Sequence, residues 1–255
     1  MADKRKNWTR QELILALRLY YWTPFGKMYR NNPEVIQLAE LIGRTANSVA
    51  LKLVNFAHID PDLKRQGMKG ASKLDRQIWA EFYQKWEDLA LAAENVLQQY
   101  EGVPQNRVEE AIIPYSSAGE DIERLVKTRR NQSFFRNTLL ASYESTCCIT
   151  GLQQPELLIA GHIKPWAKDV DNRLNPTNGI LINALHDKAF EVGLITIDKT
   201  NYTIKISSEI TQSKDGQLKP FFLPYQNQKI YLPKQYKYLP GKAFLEYHND
   251  VRFRK

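Results

Sequence analysis

His162, Asn178, His186 and Asp187 fall within one short stretch, Ile159 to Phe190, of a chain that holds only four histidines. An imidazole with an unperturbed pKa of about 6.5 is largely neutral at cellular pH and can take a proton from water, provided another group fixes its second ring nitrogen. His162 is the candidate base. His186 and Asp187 are adjacent, and imidazole and carboxylate both bind divalent ions, the carboxylate favouring Mg²⁺ or Mn²⁺. Adjacent helix residues point about 100° apart, so one of the two faces the ion and the other does something else. Glu191, one helical turn after Asp187 on the same face, is a third candidate ligand. Asn178 precedes Gly179, where its side chain can bond backbone groups of the preceding loop. Arg173 lies in that loop, and a guanidinium there can hold a phosphate through two parallel hydrogen bonds.

These residues need a scaffold that brings them together. Leu157 to Ile163 reads as a short apolar strand ending near His162, and Gly179 to Ile182 as a second, with residues 164–177 as the loop between them. A helix from Ala184 to Val192 follows, and beyond Gly193 the alternating LITIDKTNYTIKIS reads as a hairpin turning near Asp198 to Asn201. Cys148 and Thr150 belong to a strand or turn behind the site. His248, in FLEYHNDVRF, sits near the end of a C-terminal helix that can pack against or approach it.

Two strands and a helix, with a histidine on the first strand, an asparagine opening the second and metal-type residues on the helix, resemble the ββα-metal site of HNH endonucleases. The wording CCITG, GHIKPW, RLNPTNGILIN and LHDKAFEVGLITI is similar to the branch found in bacterial restriction-type proteins. The resemblance is strong over residues 124–200. It implies that His162 is the general base, that Asn178 ties the loop and so holds the base, and that Asp187 or His186 binds the metal. It also implies a divalent cofactor, Mg²⁺ or Mn²⁺, and double-stranded DNA as partner. Many such motifs carry an acid directly before the base, whereas this chain has Gly161 there. That departure keeps open a non-catalytic DNA-binding protein with a degenerate HNH fold, alongside a nicking or RNA-directed nuclease. Cutting both strands with one site per chain would favour a homodimer.

The first half of the chain has a different texture. Trp8-Thr9-Arg10-Gln11-Glu12 has the form of a capping box, and Leu13, Ala16, Leu17, Tyr20 and Tyr21 follow an apolar helical stripe. Asn32-Pro33-Glu34 starts a second helix, which Gly43 ends. Thr45 caps a third, whose Val49, Leu53 and Phe56 face inward and whose other face offers Asn47, Ser48, Lys52 and Asn55. A helix, a glycine turn and a helix with an amide-rich, basic outer face resemble a helix-turn-helix, so Asn47, Lys52 and Asn55 are candidate DNA contacts; the alternative is a scaffold or docking domain. A further helix from about Ser72 carries Leu74, Ile78, Trp79, Phe82, Trp86, Leu89 and Leu97.

Residues 101–123 gather Pro, Gly and Ser without periodicity, as a linker does. The expected organisation is α+β: an all-helical domain at 1–100, a linker at 101–123 and a ββα nuclease domain at 124–255. Lys127, Arg129, Arg130 and Arg136 form a basic cluster suited to phosphate contacts just before the site.

Composition is consistent with this division. Hydrophobic residues make up 43% and aromatics 11% of 255 residues, ample for packed cores. Lys and Arg outnumber Asp and Glu by 36 to 28, a formal charge of +8 that favours a polyanionic partner. The basic N-terminus lacks the apolar run of a signal peptide and no stretch approaches the ~20 apolar residues of a membrane span, so a cytoplasmic protein is expected. The two adjacent cysteines, Cys147 and Cys148, supply neither a disulfide framework nor paired zinc knuckles.

Overall fold

Capping chemistry sets the helix starts in the first half of the chain. In the computed structural model, which describes residues 6–63, 69–101 and 132–255, helix α1 spans Arg10–Trp22. It opens with the expected reciprocal box: the Glu12 amide donates to the Thr9 hydroxyl and the Thr9 amide to the Glu12 carboxylate. Helix α2, Pro33–Leu41, starts with Asn32 as cap and proline at its first position, where a missing amide costs nothing. Gly43, at φ +64, turns the chain into α3, Ala46–Ile59, capped by Thr45. Helices α4, Lys73–Phe82, and α5, Trp86–Glu101, replace the single expected helix. The break falls where Gln84 adopts φ +60, with no glycine or proline to announce it. Leu13, Leu17, Leu53, Phe56, Ile78 and Leu89 form the fully buried core, and Trp79 packs against Tyr20, Tyr21 and Phe56.

The chain divides into two compact units between Phe134 and Phe135. The expected linker at 101–123 lies, but for Glu101, outside the described residues, as do Lys127, Arg129 and Arg130.

The second unit is mixed helix and strand. Helix α6, residues 132–142, begins just before the boundary; from Phe135 on it belongs to this unit, where it buries Phe135 and Leu139, and Tyr143 follows on the same face. Strands β1, Leu158–His162, and β2, Gly179–Asn183, pair antiparallel with His162 opposite Gly179 and Leu158 opposite Asn183. Helix α7, Ala184–Glu191, follows β2 directly because the Asn183 side chain caps it, accepting from the His186 amide. Gly193, at φ +81, ends that helix, and β3, Ile195–Ile197, pairs with β4, Ile204–Ile206, as the expected hairpin. Helices α8, Ser208–Thr211, α9, Lys219–Phe222, and α10, Lys242–Tyr247, complete the unit, the last running into a wide π turn at His248–Arg252. The Cys148 amide donates to the Leu181 carbonyl, which puts the CCITG turn behind β2. No helix among the described residues is long and apolar enough to cross a membrane.

Candidate active site

His162 stands at the end of β1 with its ring held on three sides. Its Nε2 lies 2.8 Å from the carbonyl oxygen of Arg173. A carbonyl can only accept, so Nε2 carries the proton and Nδ1 keeps its lone pair. Phe135 stacks on the ring at 4.1 Å and 8°, and Trp166 meets it edge-on at 5.4 Å. Burial lowers the pKa of His162, and the Arg173 carbonyl counters only part of that fall. The imidazole is therefore a neutral acceptor at neutral pH.

Asn178 fixes the loop that supplies this carbonyl. It is fully buried; its Oδ1 accepts from the Lys164 amide at 2.8 Å, and its Nδ2 donates to the carbonyls of Lys164 at 3.1 Å and Asn172 at 3.3 Å. Both ends of the loop are thus tied to one side chain. Asn172 precedes Arg173, so the bond that pins its carbonyl also sets the acceptor for His162. Outside that tie, Lys164 pairs with Asp169 at 3.0 Å and Asn172 donates to the same carboxylate at 2.9 Å.

A cavity brings His162 together with Gly161, Trp166, Asp187, Glu191 and Arg252. A Cβ on Gly161 would lie 2.5 Å from Oδ1 of Asp187. The carboxylate from α7 therefore occupies the space in which a side chain just before His162 would begin. Burial raises the pKa of Asp187, the charge of Glu191 raises it further, and Lys188 acts the other way. Glu191 itself is exposed and paired with Lys188 at 2.7 Å.

Of the two adjacent candidates, Asp187 lines this cavity and His186 does not. The His186 Nδ1 lies 3.0 Å from the Asn183 Oδ1, and the ring packs against Phe222 and Tyr225 at 5.1 and 5.3 Å. Its Nε2 is buried and makes no hydrogen bond with good geometry, although the nearby Phe221 backbone partly offsets the lowering of its pKa by burial. One step around a helix turns it away from the face that Asp187 and Glu191 share. Among the described residues no three His, Cys, Asp or Glu side chains form a metal cluster.

The expected phosphate contacts separate in the same way. Arg173 sits beside the site, with Nε donating to the Trp166 carbonyl at 3.1 Å and its guanidinium over the Trp166 ring. Arg136 is a structural clamp: its two terminal nitrogens donate to the carbonyls of Leu158 at 2.6 Å and Pro155 at 2.8 Å, holding the start of β1. Lys52 is not on the outer face of α3. It is 6% exposed and gives both 2.9 Å bonds to the Asp75 carboxylate. Asn47 is exposed and Asn55 half-buried.

Phe135 and Arg252 were not assigned to the site from sequence, and His248 was expected only to pack against or approach it. Phe135 reads only as one residue of an apolar helical stripe, and its stacking on His162 has no local signature. Arg252, in the basic C-terminal VRFRK, is brought in by the fold of the last residues. His248 lines the cavity with both ring nitrogens committed, Nε2 to the Phe190 carbonyl at 2.9 Å and Nδ1 to the Thr196 hydroxyl at 2.7 Å. That makes it a buried brace rather than a base.

No curated protein matches the chain. The segment carrying β1, β2, α7 and β3, with His162, Asn178 and Asp187 in place, matches the HNH endonuclease family model over residues 147–198, and the chain contains an HNH endonuclease domain.

Proposed function

We propose that the protein is a metal-dependent endonuclease that hydrolyses phosphodiester bonds of double-stranded DNA, in a restriction or defence role. One observation carries the hydrolytic reading: His162 holds its Nε2 proton on a backbone carbonyl and keeps Nδ1 as an acceptor, in a cavity shared with the Asp187 carboxylate. Water gives its proton to Nδ1, and the Arg173 carbonyl stabilises the imidazolium that forms. Phe135 and Trp166 keep the ring plane fixed, and Asn178 keeps the carbonyl in place.

The residues present fit a divalent cation. Asp187 lies against the backbone at Gly161, where burial first and the charge of Glu191 second raise its pKa, and a bound cation would favour its ionised form against both. Asp187 and Glu191 would hold the ion; Mg²⁺ or Mn²⁺ suits two carboxylates with the remaining positions open. When bound, it supplies positive charge against the phosphorus oxygens and the leaving oxygen.

In the first unit, α2 and α3 support a helix-turn-helix reading, with Asn47 and Asn55 as base contacts because a carboxamide can pair with adenine in the major groove. The restriction or defence role is supported by the motif wording GHIKPW and RLNPTNGILIN. The test is incubation of supercoiled plasmid, linear duplex and RNA with Mg²⁺, Mn²⁺ or EDTA. Linear product from plasmid with either ion and none in EDTA is expected, and a dimer would account for cutting both strands. Nicked circles alone, or preference for RNA, would favour the other nuclease readings. Duplex binding with no cleavage under any ion would favour the degenerate, non-catalytic one.

A further inference from the structure

Arg252 lies more than fifty residues beyond the segment that matches the family model, yet it lines the same cavity as His162 and Asp187. Among the residues lining that cavity it is the only Lys or Arg. The two histidines there add no permanent charge: His162 is held neutral by burial, and His248 has its pKa lowered to about 4. Asp187 and Glu191 are both anionic when ionised, so among the described residues lining the cavity this guanidinium is the one side chain whose charge attracts an entering phosphodiester.

Its position is built rather than incidental. The Phe253 amide donates to the His248 carbonyl at 2.9 Å, closing the wide turn, and the Arg254 amide donates to the Gly193 carbonyl at 2.9 Å. Gly193 has no side chain where the backbone carbonyl of Arg252 passes: a Cβ there would lie 2.0 Å from that oxygen. His248, one turn earlier, stacks on Phe190 at 3.7 Å and bonds its carbonyl. The last residues of the chain are thereby locked onto the end of α7, the helix that carries both carboxylates. One terminal nitrogen of Arg252 donates to the Glu191 carbonyl, which aims the fork and leaves further donors for a ligand. Pairing with two phosphate oxygens is what the planar guanidinium does better than an ammonium.

We propose that Arg252 holds the scissile phosphate, so that the C-terminal segment outside the HNH motif completes the site. The proposal rests on the nuclease reading above but is tested apart from it. In the full chain, Arg252→Gln should lower kcat for plasmid cleavage by about a hundredfold, the scale of losing one aligned charge-stabilising donor. Duplex affinity in EDTA should change less than about threefold, since one phosphate contact is a small share of the electrostatic attraction expected between a chain of +8 and a duplex. Arg252→Lys, which keeps the charge but not the fork, should fall between parent and Gln. A deoxynucleoside bisphosphate titrated by calorimetry gives a readout that needs no turnover: the parent should bind it at least about tenfold more tightly than Arg252→Gln.

The competing account is that Arg252 merely caps α7. That account requires the Gln variant to lose thermal stability in step with its rate, and Lys to restore both equally. Such a pattern, or unchanged bisphosphate affinity in Arg252→Gln, would overturn the proposal. A parent that binds the bisphosphate through Arg252 yet cuts no plasmid would overturn the nuclease reading, and with it the scissile role of the bound phosphate, while leaving Arg252 as a phosphate-binding residue of this cavity.

Discussion

Burial lowers the pKa of His162 while the Arg173 carbonyl keeps the proton on Nε2, so its Nδ1 is available as a base through the neutral range. Protonation would remove the acceptor, so cleavage should rise with pH on the acidic side and level off below the ordinary histidine value of about 6.5. A kcat profile still climbing steeply above pH 7 would exclude His162 as the base. His248 extends the argument to stability. Its folded pKa of about 4 lies below the unfolded value, so its neutral form is favoured by folding; stability is fully present above about pH 6.5 and is lost as pH falls toward 4. That shift corresponds to roughly 3 kcal/mol, read as a drop in denaturant midpoint between pH 7 and pH 4.5. Asn178→Ala should strand one amide and two carbonyls in the interior. A loss of about 3 kcal/mol or more is expected, together with a hundredfold or greater fall in kcat as the base loses its anchor. The placement of His162 and Asn178 is legible in sequence, because a histidine at a strand end and a loop-tying amide are local patterns; the role of base belongs to the proposed function. It leaves His186 and Asp187 undivided, since only the packing of Phe222 and Tyr225 against one ring decides which of two adjacent residues turns inward.

Two glycines position the strand and the helix, and each gives a different prediction. At Gly161 the obstacle is the tip of a movable side chain, Oδ1 of Asp187 at 2.5 Å. Gly161→Ala should therefore displace the carboxylate and cut activity at least tenfold while changing stability by less than about 1 kcal/mol; equal losses in both would contradict the placement of Asp187. At Gly193 the obstacle is backbone, the Arg252 carbonyl, and φ is +81. Gly193→Ala should cost at least about 2 kcal/mol, measured by urea unfolding. Most elements were legible beforehand because their ends carry chemical signals: the Thr9 and Glu12 box, Pro33, Gly43, Thr45 and Gly193. The division between α4 and α5 was not, because Gln84 takes a left-handed conformation that nothing in FYQKW encodes locally. The inward turn of Lys52 was equally hidden. Its partner Asp75 lies on another helix, and only tertiary packing brings the two within 2.9 Å.

At the scale of the whole chain, the charge of +8 and the two units define what a duplex would meet. Lys52→Ala should act on folding, costing about 3 kcal/mol by leaving Asp75 buried without its counter-charge. Asn47→Ala and Asn55→Ala should weaken duplex binding with little effect on folding. Affinity should fall steeply with salt, since each neutralised phosphate contributes roughly −0.9 to the slope of log K against log salt, and a flat dependence would speak against DNA. The central claim, that His162 is the base of a metal-dependent DNA hydrolase, is tested most directly by one comparison: plasmid cleavage and duplex binding by the parent chain and by His162→Ala across a Mn²⁺ titration. The account predicts that the parent cuts, and that the variant binds duplex with near-parental affinity while failing to cut at every Mn²⁺ concentration, because added ion cannot replace a lost proton acceptor. Cleavage by His162→Ala at a rate near that of the parent would contradict it.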